Sequence, residues 1–209
     1  MQPAMFQCLL GMECNDFTMI ASDQTAAKSV FILKNDVDKL LSLADRLIMG
    51  VNGDYGDIHQ FVHFVSNNLS LYKIKNGYEL DTTAAVHFAR KNLADSYKTG
   101  SPFLLNILVA GWDEKEGGQL YLLDHMATCL RMPIAAHGFG GLFGTSILEY
   151  YHRRDMTEAQ AYEVMQMCVR EIHQRLFLNL PNFQVKMISK DGISILPMID
   201  PVMSAAFAR

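Results

Sequence analysis

The glycine-rich stretch PIAAHGFGGLFGTS, which begins at Pro133, is the first candidate for chemistry. Glycine-rich turns between a strand and a helix often hold phosphate, because their backbone N–H groups can approach the anion closely. The spacing does not fit, since after Gly138 and Gly140 the third glycine of a dinucleotide motif comes one residue late, at Gly144. A P-loop would need lysine where Thr145 stands. We therefore expect a tight packing turn and no cofactor.

Histidines could supply metal ligands or a general base. His59 and His63 are four residues apart, a spacing that can place two metal ligands on one helix face. No catalytic glutamate or obvious third ligand accompanies them, so the sequence predicts partly buried, hydrogen-bonded histidines. His137 has no serine or cysteine beside it in sequence, which favours a core or interface histidine. No metal-binding residues are predicted.

Four cysteines occur, at positions 8, 14, 129 and 168, and none forms a C-x-x-C pair. Their apolar surroundings indicate buried, reduced thiols in a cytosolic or nuclear protein. Cys8 and Cys14 lie near enough to the amino end to act as nucleophiles in a processed amino-terminal hydrolase. A structural role is favoured for both, because Cys8 is predicted to be an inward-facing strand residue and Cys14 to lie at the edge of a turn.

The composition limits the classes of partner. Half of the 209 residues are hydrophobic, 19% are charged and the net charge is −4. This balance indicates a large core, extensive interfaces or both, and it does not favour a nucleic-acid partner. The amino end lacks the basic region of a secretory signal, and the apolar run from Phe103 is too short to span a bilayer. We expect neither a nucleic-acid nor a membrane partner.

Periodic and alternating patterns predict strands, two helices, strands, two helices and final strands. For the first helix, Asp57 is the predicted cap and Gly77 follows the end; for the fourth, Thr157 and Gln160 form a capping box. The predicted helices are 57–75, 81–98, 142–152 and 157–176. The predicted strands are 5–12, 17–22, 30–33, 39–43, 46–52, 102–113, 119–125, 127–132, 183–189 and 193–196.

This order of elements predicts an α+β fold. Single helices do not alternate with single strands, so a doubly wound parallel sheet is not expected. Strands that are apolar on both sides need cover on both faces, which two antiparallel sheets between two helix pairs would provide: a four-layer αββα sandwich. No linker or repeat is visible, so the sequence predicts a single domain over 1–209. The tail 197–209 is expected to be an extended arm.

Seven segments together carry a dense, collinear resemblance over about residues 6 to 196: LLGMECNDFTMIASD, GDYGDIHQFVHFVSNNLSLYKIKNGYEL, NLADSY, NILVAGWDEKEGG, PIAAHGFG, LFLNLPNFQV and KDGI. With these segments the chain resembles the beta subunits of the 20S proteasome core, and within them the non-catalytic type-2 branch. The resemblance implies the amino-terminal nucleophile hydrolase fold, whose layers are those predicted above. Active members of the family use an amino-terminal threonine as nucleophile.

The resemblance implies that the catalytic constellation is missing here. It places Phe6 at the nucleophile's position, and no glycine precedes it. The family's aspartate is matched by Ser22, with Asp23 one place later, and its lysine is matched approximately by Lys39. Phe139 stands where active members carry a serine. A late aspartate and serine are matched by Leu176 and Asn179.

The implied function is a non-catalytic structural subunit of the beta ring, without catalytic, cofactor-binding or metal-binding residues. Its implied partners are two beta-ring neighbours, the alpha ring through the first helix pair and the opposite beta ring through the second. Apolar residues beyond one helical stripe, such as Met165 and Met167, are interpreted as interface residues. The implied location is cytoplasm and nucleus. Two alternatives remain: a processed cysteine hydrolase of the same fold, and a cofactor-binding protein that uses the glycines.

Overall fold

A computed structural model of the chain describes residues 7–28, 31–176 and 180–200. The described helices are α1 (Tyr55–Asn76), α2 (Thr82–Lys98), α3 (Phe139–Tyr151) and α4 (Glu158–Arg175). The described strands are β1 (Leu9–Glu13), β2 (Phe17–Asp23), β3 (Ala26–Lys28), β4 (Phe31–Lys34), β5 (Leu40–Ala44), β6 (Leu47–Gly53), β7 (Leu105–Asp113), β8 (Gly117–Leu123), β9 (Cys129–Arg131), β10 (Ile134–His137), β11 (Phe183–Ser189) and β12 (Gly192–Ile199).

The strands form two antiparallel sheets and one separate hairpin. One five-stranded sheet has the order β10-β1-β2-β11-β12, the other has the order β5-β6-β7-β8-β9, and β3 pairs with β4. One buried cluster lies between the first sheet and the α3–α4 pair, a second between the two sheets, and a third between the second sheet and the α1–α2 pair. The predicted αββα sandwich is confirmed.

Continuous burial explains why the central strands carry apolar residues on both sides. Every residue of β1, β2 and β6 is buried. Successive side chains of a strand point to opposite faces, so Leu9 enters the cluster between the sheets while Leu10 enters the cluster under α3 and α4. The lack of polar–apolar alternation in these segments therefore reflects a sheet covered on both sides.

Most helix ends follow the predicted signals, with one exception. Gly77 ends α1 with a φ of 80°, Asp81 caps α2 and Thr157 opens α4 with a complete capping box. The cap of α1 is Asp54, whose carboxylate accepts from the first-turn backbone, so the prediction of Asp57 was wrong. Within the described ranges, no helix combines the length and the apolar character needed to cross a bilayer.

The third helix starts three residues earlier than predicted, at Phe139 instead of Leu142. Only Gly138 lies in the turn before it, with a φ of 81° that favours glycine. The predicted turn was therefore too long, because Gly140 and Gly141 are helical. Gly144 lies in the helix, as the predicted range 142–152 implied.

The helical glycines allow α3 to lie very close to the first sheet. A Cβ atom on Gly140 would lie 2.5 Å from Cys8 Sγ, and one on Gly144 would lie 2.6 Å from Leu10 Cδ2. Neither separation is possible for real carbon atoms without displacement of a neighbour. The glycines thus fill a packing role between α3 and β1, and they leave no open backbone cradle for a phosphate.

The sequence patterns missed β3 and β10 and misplaced the end of β12. The last strand continues to Ile199, so the start of the predicted 197–209 arm belongs to a sheet. Tyr162 of α4 donates a hydrogen bond to the carbonyl of Pro197 at 3.0 Å, which ties this part to the helix layer. Residues 201–209, the rest of the predicted arm, lie outside the described residues.

Candidate functional site

A buried ion pair lies at the end of β2. Lys39 Nζ is 2.7 Å from Asp23 Oδ2, and the two side chains are 2% and 0% exposed. Lys39 also donates to the carbonyl of Thr25 at 2.8 Å. The Asp23 carboxylate accepts the backbone N–H groups of Cys8 at 2.7 Å and of Thr25 at 3.0 Å. These charge-assisted bonds compensate the loss of water around both charges.

The acid of this pair is Asp23, one residue after Ser22, to which the resemblance matches the family's aspartate. Ser22 is the cross-strand partner of Leu9, whose side chain lies between the two sheets. The Ser22 hydroxyl is buried there without a hydrogen-bond partner among the described residues. Because neighbouring residues of a strand face opposite sides, Asp23 reaches Lys39 and Ser22 does not. The match of the family's lysine to Lys39 stays a prediction, with which the Asp23–Lys39 ion pair agrees.

The side-chain amide of Gln7 pairs with the backbone of Gly53 beside this ion pair. Gln7 Oε1 accepts from Gly53 N at 2.9 Å, and Gln7 Nε2 donates to the carbonyl of Gly53 at 3.2 Å. Gln7 is 7% exposed. The amide therefore uses both backbone groups of Gly53, as a neighbouring antiparallel strand would. A backbone N–H in a buried site could stabilise an oxyanion, but this N–H is already bonded.

Tyr55 connects the Gln7–Gly53 pairing to the ion pair. Its hydroxyl donates to the carbonyl of Thr25 at 3.3 Å and lies 3.5 Å from Gln7 Nε2. Burial is the main cause that raises the pKa of Tyr55 to about 12, so the phenol stays neutral at physiological pH. The carbonyl of Thr25 thus receives hydrogen bonds from both Tyr55 and Lys39. Tyr55, Thr25 and Lys39 are thus linked by hydrogen bonds, while the side-chain hydroxyls of Ser22 and Thr25 have no partner among the described residues.

The cysteines near the amino end are poor nucleophiles. Cys8 is 0% exposed, and burial together with the nearby Asp23 carboxylate raises the pKa of its thiol well above the usual value. Burial also raises the pKa of Cys14 to about 12. A raised pKa disfavours the thiolate, which is the reactive form of cysteine. The structure therefore supports the predicted structural role of both.

The histidines divide between surface and interior. His59 and His63 are exposed on α1 with ring centroids 4.3 Å apart, so the prediction that they are partly buried was wrong. Among the described residues, no group of three or more His, Cys, Asp or Glu side chains could hold a metal ion. His137 Nε2 lies 3.2 Å from the carbonyl of Ile107, and burial lowers its pKa. His137 is partly buried, which agrees with the predicted core or interface histidine.

Several other predicted positions have a structural explanation. Phe139 is the first residue of α3, and Leu176 packs at the edge of the cluster under α3 and α4. Met165 is fully buried in that cluster, so its interpretation as an interface residue was wrong, whereas Met167 is only partly buried and its interpretation stays a prediction. Phe6 and Asn179, the other two positions, lie outside the described residues.

Sequence reasoning missed Gln7, Gly53 and Tyr55. Gln7 and Gly53 are 46 residues apart, and no local pattern announces a side-chain amide that replaces a strand. The one available signal is the GDYGD segment, where glycine ends a strand just before a helix cap. This signal indicates a tight turn and does not indicate what contacts it.

The αββα layers, together with an acid–lysine pair beside the first strand, define the amino-terminal nucleophile hydrolase type of fold. The proteasome subunit family model matches residues 6–188, and the chain belongs to the proteasome subunit family. It is 37% identical over 186 residues to Proteasome subunit beta type-2-A of Arabidopsis thaliana, covering 89% of this chain and 91% of that relative. The resemblance to beta subunits is confirmed.

Two further relatives are also beta subunits. The chain is 32% identical over 186 residues to Proteasome subunit beta type-4 of Saccharomyces cerevisiae, with 88% and 94% of the two chains covered. It is 32% identical over 187 residues to Proteasome subunit beta type-2 of Caenorhabditis elegans, with the same shares covered. Family membership implies assembly with other proteasome subunits.

Proposed function

We propose that this chain is a non-catalytic structural subunit of the proteasome beta ring. It would fill one place in the ring that encloses the chamber where other subunits degrade ubiquitinated proteins. The main structural support for this proposal is the Gln7–Gly53 pairing beside the Asp23–Lys39 ion pair. Among the described residues, Asp23 and Lys39 are hydrogen-bonded to each other and to backbone groups, and neither is hydrogen-bonded to a hydroxyl or thiol that it could activate.

The position of the ion pair also bears on the nucleophile. Since the acid is Asp23 and not Ser22, the same one-residue shift moves the nucleophile's position from Phe6 to Gln7. Neither a benzyl group nor a carboxamide can attack a peptide carbonyl as a threonine hydroxyl does. The ion pair would then serve the fold alone, because two buried charges stabilise one another only while both are present.

The processed cysteine hydrolase is not favoured. It would need Cys8 or Cys14 at a new amino terminus with an accessible thiolate. Cys8 instead has its backbone N–H bonded to Asp23 and its side chain under α3, next to Gly140. Cofactor binding at the glycines is not favoured either, because the helical glycines face packed side chains.

Exposed apolar side chains on both helix pairs support the proposed arrangement in the ring. Monomeric proteins rarely expose large contiguous apolar patches, so such patches indicate contact surfaces. We infer contacts with two beta-ring neighbours, with the alpha ring through α1 and α2, and with the opposite beta ring through α3 and α4. The exposed apolar residues on the described helices are Phe64, Leu71 and Ile74 of α1, Tyr97 of α2, and Leu142, Tyr150 and Tyr151 of α3.

The remaining parts of the proposal concern organisation and location. The chain would act as a single domain over 1–209, without cofactor, metal, nucleic-acid or membrane partners. It would reside in cytoplasm and nucleus, where four reduced cysteines are compatible with the redox conditions. Of these four, Cys8, Cys14 and Cys168 are buried.

An electrophilic threonine-directed inhibitor tests the proposal in purified core particles. We expect covalent adducts on the catalytic subunits, which serve as the internal control, and no adduct on this chain. Intact-mass measurement should find a chain that does not begin with threonine, serine or cysteine. An adduct on this chain, or a new terminus at Cys8 or Cys14, would contradict the proposal. So would a chain that occurs only as a small free particle.

A further inference from the structure

Three basic side chains lie together on the outer side of α2. His87, Arg90 and Lys91 are exposed, and their spacing of three and four residues places them on one helix face. With Met126 and Ala127, from the connection between β8 and β9, they line a surface pocket of about 350 Å³. We call these five residues the α2 basic surface.

The cations of this surface have no acidic partner within the described part of the chain. Arg90 and Lys91 form no ion pair there. Most of the other described lysines and arginines do form ion pairs: Lys34, Lys39, Arg46, Lys73, Lys98, Arg131, Arg154, Arg175 and Lys186. A chain of net charge −4 thus leaves two adjacent cations uncompensated.

The nearest acids are already engaged. Asp95, four residues after Lys91 on the same helix, is 3.7 Å from Lys98 Nζ. The Asp124 carboxylate accepts the backbone N–H groups of Met126 at 2.9 Å and of Thr128 at 2.8 Å. These bonds shape the loop and direct the carboxylate to the backbone. The positive charge of the surface is therefore open to an external acid.

The pocket wall is held in a fixed conformation. Ala127 has a φ of 62°, an uncommon value for a residue with a Cβ atom, and it is buried. Its N–H donates to the carbonyl of Asp124 at 3.0 Å, and its carbonyl accepts from Arg90 Nε at 3.1 Å. Met126 is 57% exposed at the rim. The surface thus combines the hydrogen-bonded guanidinium of Arg90, the exposed amine of Lys91 and an apolar edge at Met126.

We propose that the α2 basic surface receives an acidic segment of a neighbouring proteasome subunit. A glutamate or aspartate side chain of that segment would bind the guanidinium of Arg90 and the amine of Lys91, and an adjoining apolar residue would pack on Met126. The inference rests on the proposed function, because the partner belongs to the assembled particle. A nucleic acid fits less well, since the cluster is short and has Asp95 and Asp124 beside it.

Zero-length carbodiimide crosslinking of intact core particles tests this directly, because the reagent joins an amine only to a carboxylate in contact with it. We expect a crosslink between Lys91 and an aspartate or glutamate of another subunit. Acetylation of Lys91 in the particle should be about tenfold slower than in the dissociated chain, the factor that ~1.4 kcal/mol produces. The Lys91→Arg variant keeps the charge and should assemble normally, without the crosslink.

A pair of charge reversals gives a second measurement. Lys91→Glu should enter the particle less efficiently than Lys115→Glu, which makes the same charge change on the exposed β7–β8 turn. Both variants leave the Arg90–Ala127 hydrogen bond intact. Equal incorporation of the two would count against the inference.

The possible failures are distinguishable. If the chain is incorporated but Lys91 is acetylated as fast as in the dissociated chain, the inference is wrong and the proposed function stands. The same holds if Lys91 crosslinks only within its own chain, or if an oligonucleotide alone protects Lys91 in the dissociated chain. If the chain never sediments with the particle, both the proposed function and this inference are wrong.

Discussion

The interior charge site and the α2 basic surface treat charge in opposite ways. In the interior, Asp23 and Lys39 are bonded to each other and to backbone groups, and the Gln7 amide is bonded to the backbone of Gly53. On α2, Arg90 and Lys91 face solvent without an acidic partner in the described chain. The buried charges are therefore paired within the chain, whereas the exposed cations, as we propose, pair with acidic groups of another subunit.

The physical reason is the cost of leaving a charge unpaired. A buried ion without a partner costs several kcal/mol, so a chain must compensate it internally to fold. An exposed ion keeps its water and costs almost nothing until another surface covers it. An unpaired surface charge is therefore compatible with a stable subunit.

The largest effect is expected from Asp23→Ala. The substitution leaves Lys39 buried without a counter-charge and should lower the free energy of unfolding by about 3–5 kcal/mol. The matched control is Asp36→Ala, which removes a solvent-exposed pair with Lys34 at 3.2 Å and should cost less than about 1 kcal/mol. Urea unfolding monitored by circular dichroism measures both. Similar losses for the two variants would remove the contrast between interior and surface charge.

Gln7→Ala should have an intermediate effect. Loss of the amide leaves the buried N–H and carbonyl of Gly53 without their partners, which should cost about 1–3 kcal/mol. The control is Asn68→Ala, which removes a solvent-exposed hydrogen bond from the side-chain amide to the carbonyl of Phe64 and should lower the free energy of unfolding less. Unfolding in urea again gives the comparison. A cost for Gln7→Ala no greater than that of the control would mean that solvent replaces the Gln7 amide.

The smallest effect concerns the thiols beside the two sites. Cys8 adjoins the Asp23 site and is fully buried, whereas Cys129 is only partly buried and the nearby Arg90 charge partly offsets the rise of its pKa. Iodoacetamide at pH 8 should therefore alkylate Cys129 first under native conditions, as mass spectrometry would show. Labelling after unfolding provides the reference. Alkylation of Cys8 as fast as Cys129 in the folded chain would contradict the closed interior site.

Sequence patterns predicted the layers well because burial leaves local signals. The apolar residues that recur along one face of α1, the N-cap Asp81 of α2 and the capping box at Thr157 are all local patterns. They therefore locate helices without tertiary information. The alternating pattern was less informative for β1 and β2, because both faces of these strands are covered. The start of α3 was misplaced for a related reason: the glycines after Gly138 lie in the helix, where they allow close packing against the sheet.

The site was predicted less completely because its contacts are long-range. The resemblance named Lys39, but which of Ser22 and Asp23 pairs with it depends on which face of β2 is directed at Lys39, and both residues are polar. The Gln7–Gly53 pairing depends on two segments meeting across the sandwich. The basic residues of α2 look like an ordinary solvated helix face until the ion pairs of the rest of the chain are known.

The close approach of α3 to β1 has a consequence for how the chain can vary. Gly140 and Cys8 share one small volume, and so do Gly144 and Leu10. A larger residue at one position of a pair is therefore tolerated only if the other becomes smaller. Cys8→Ala should make Gly140→Ala less costly than it is alone, and the two changes would not be additive. Residues of α3 and β1 that are far apart in the chain are in this way constrained to change size together.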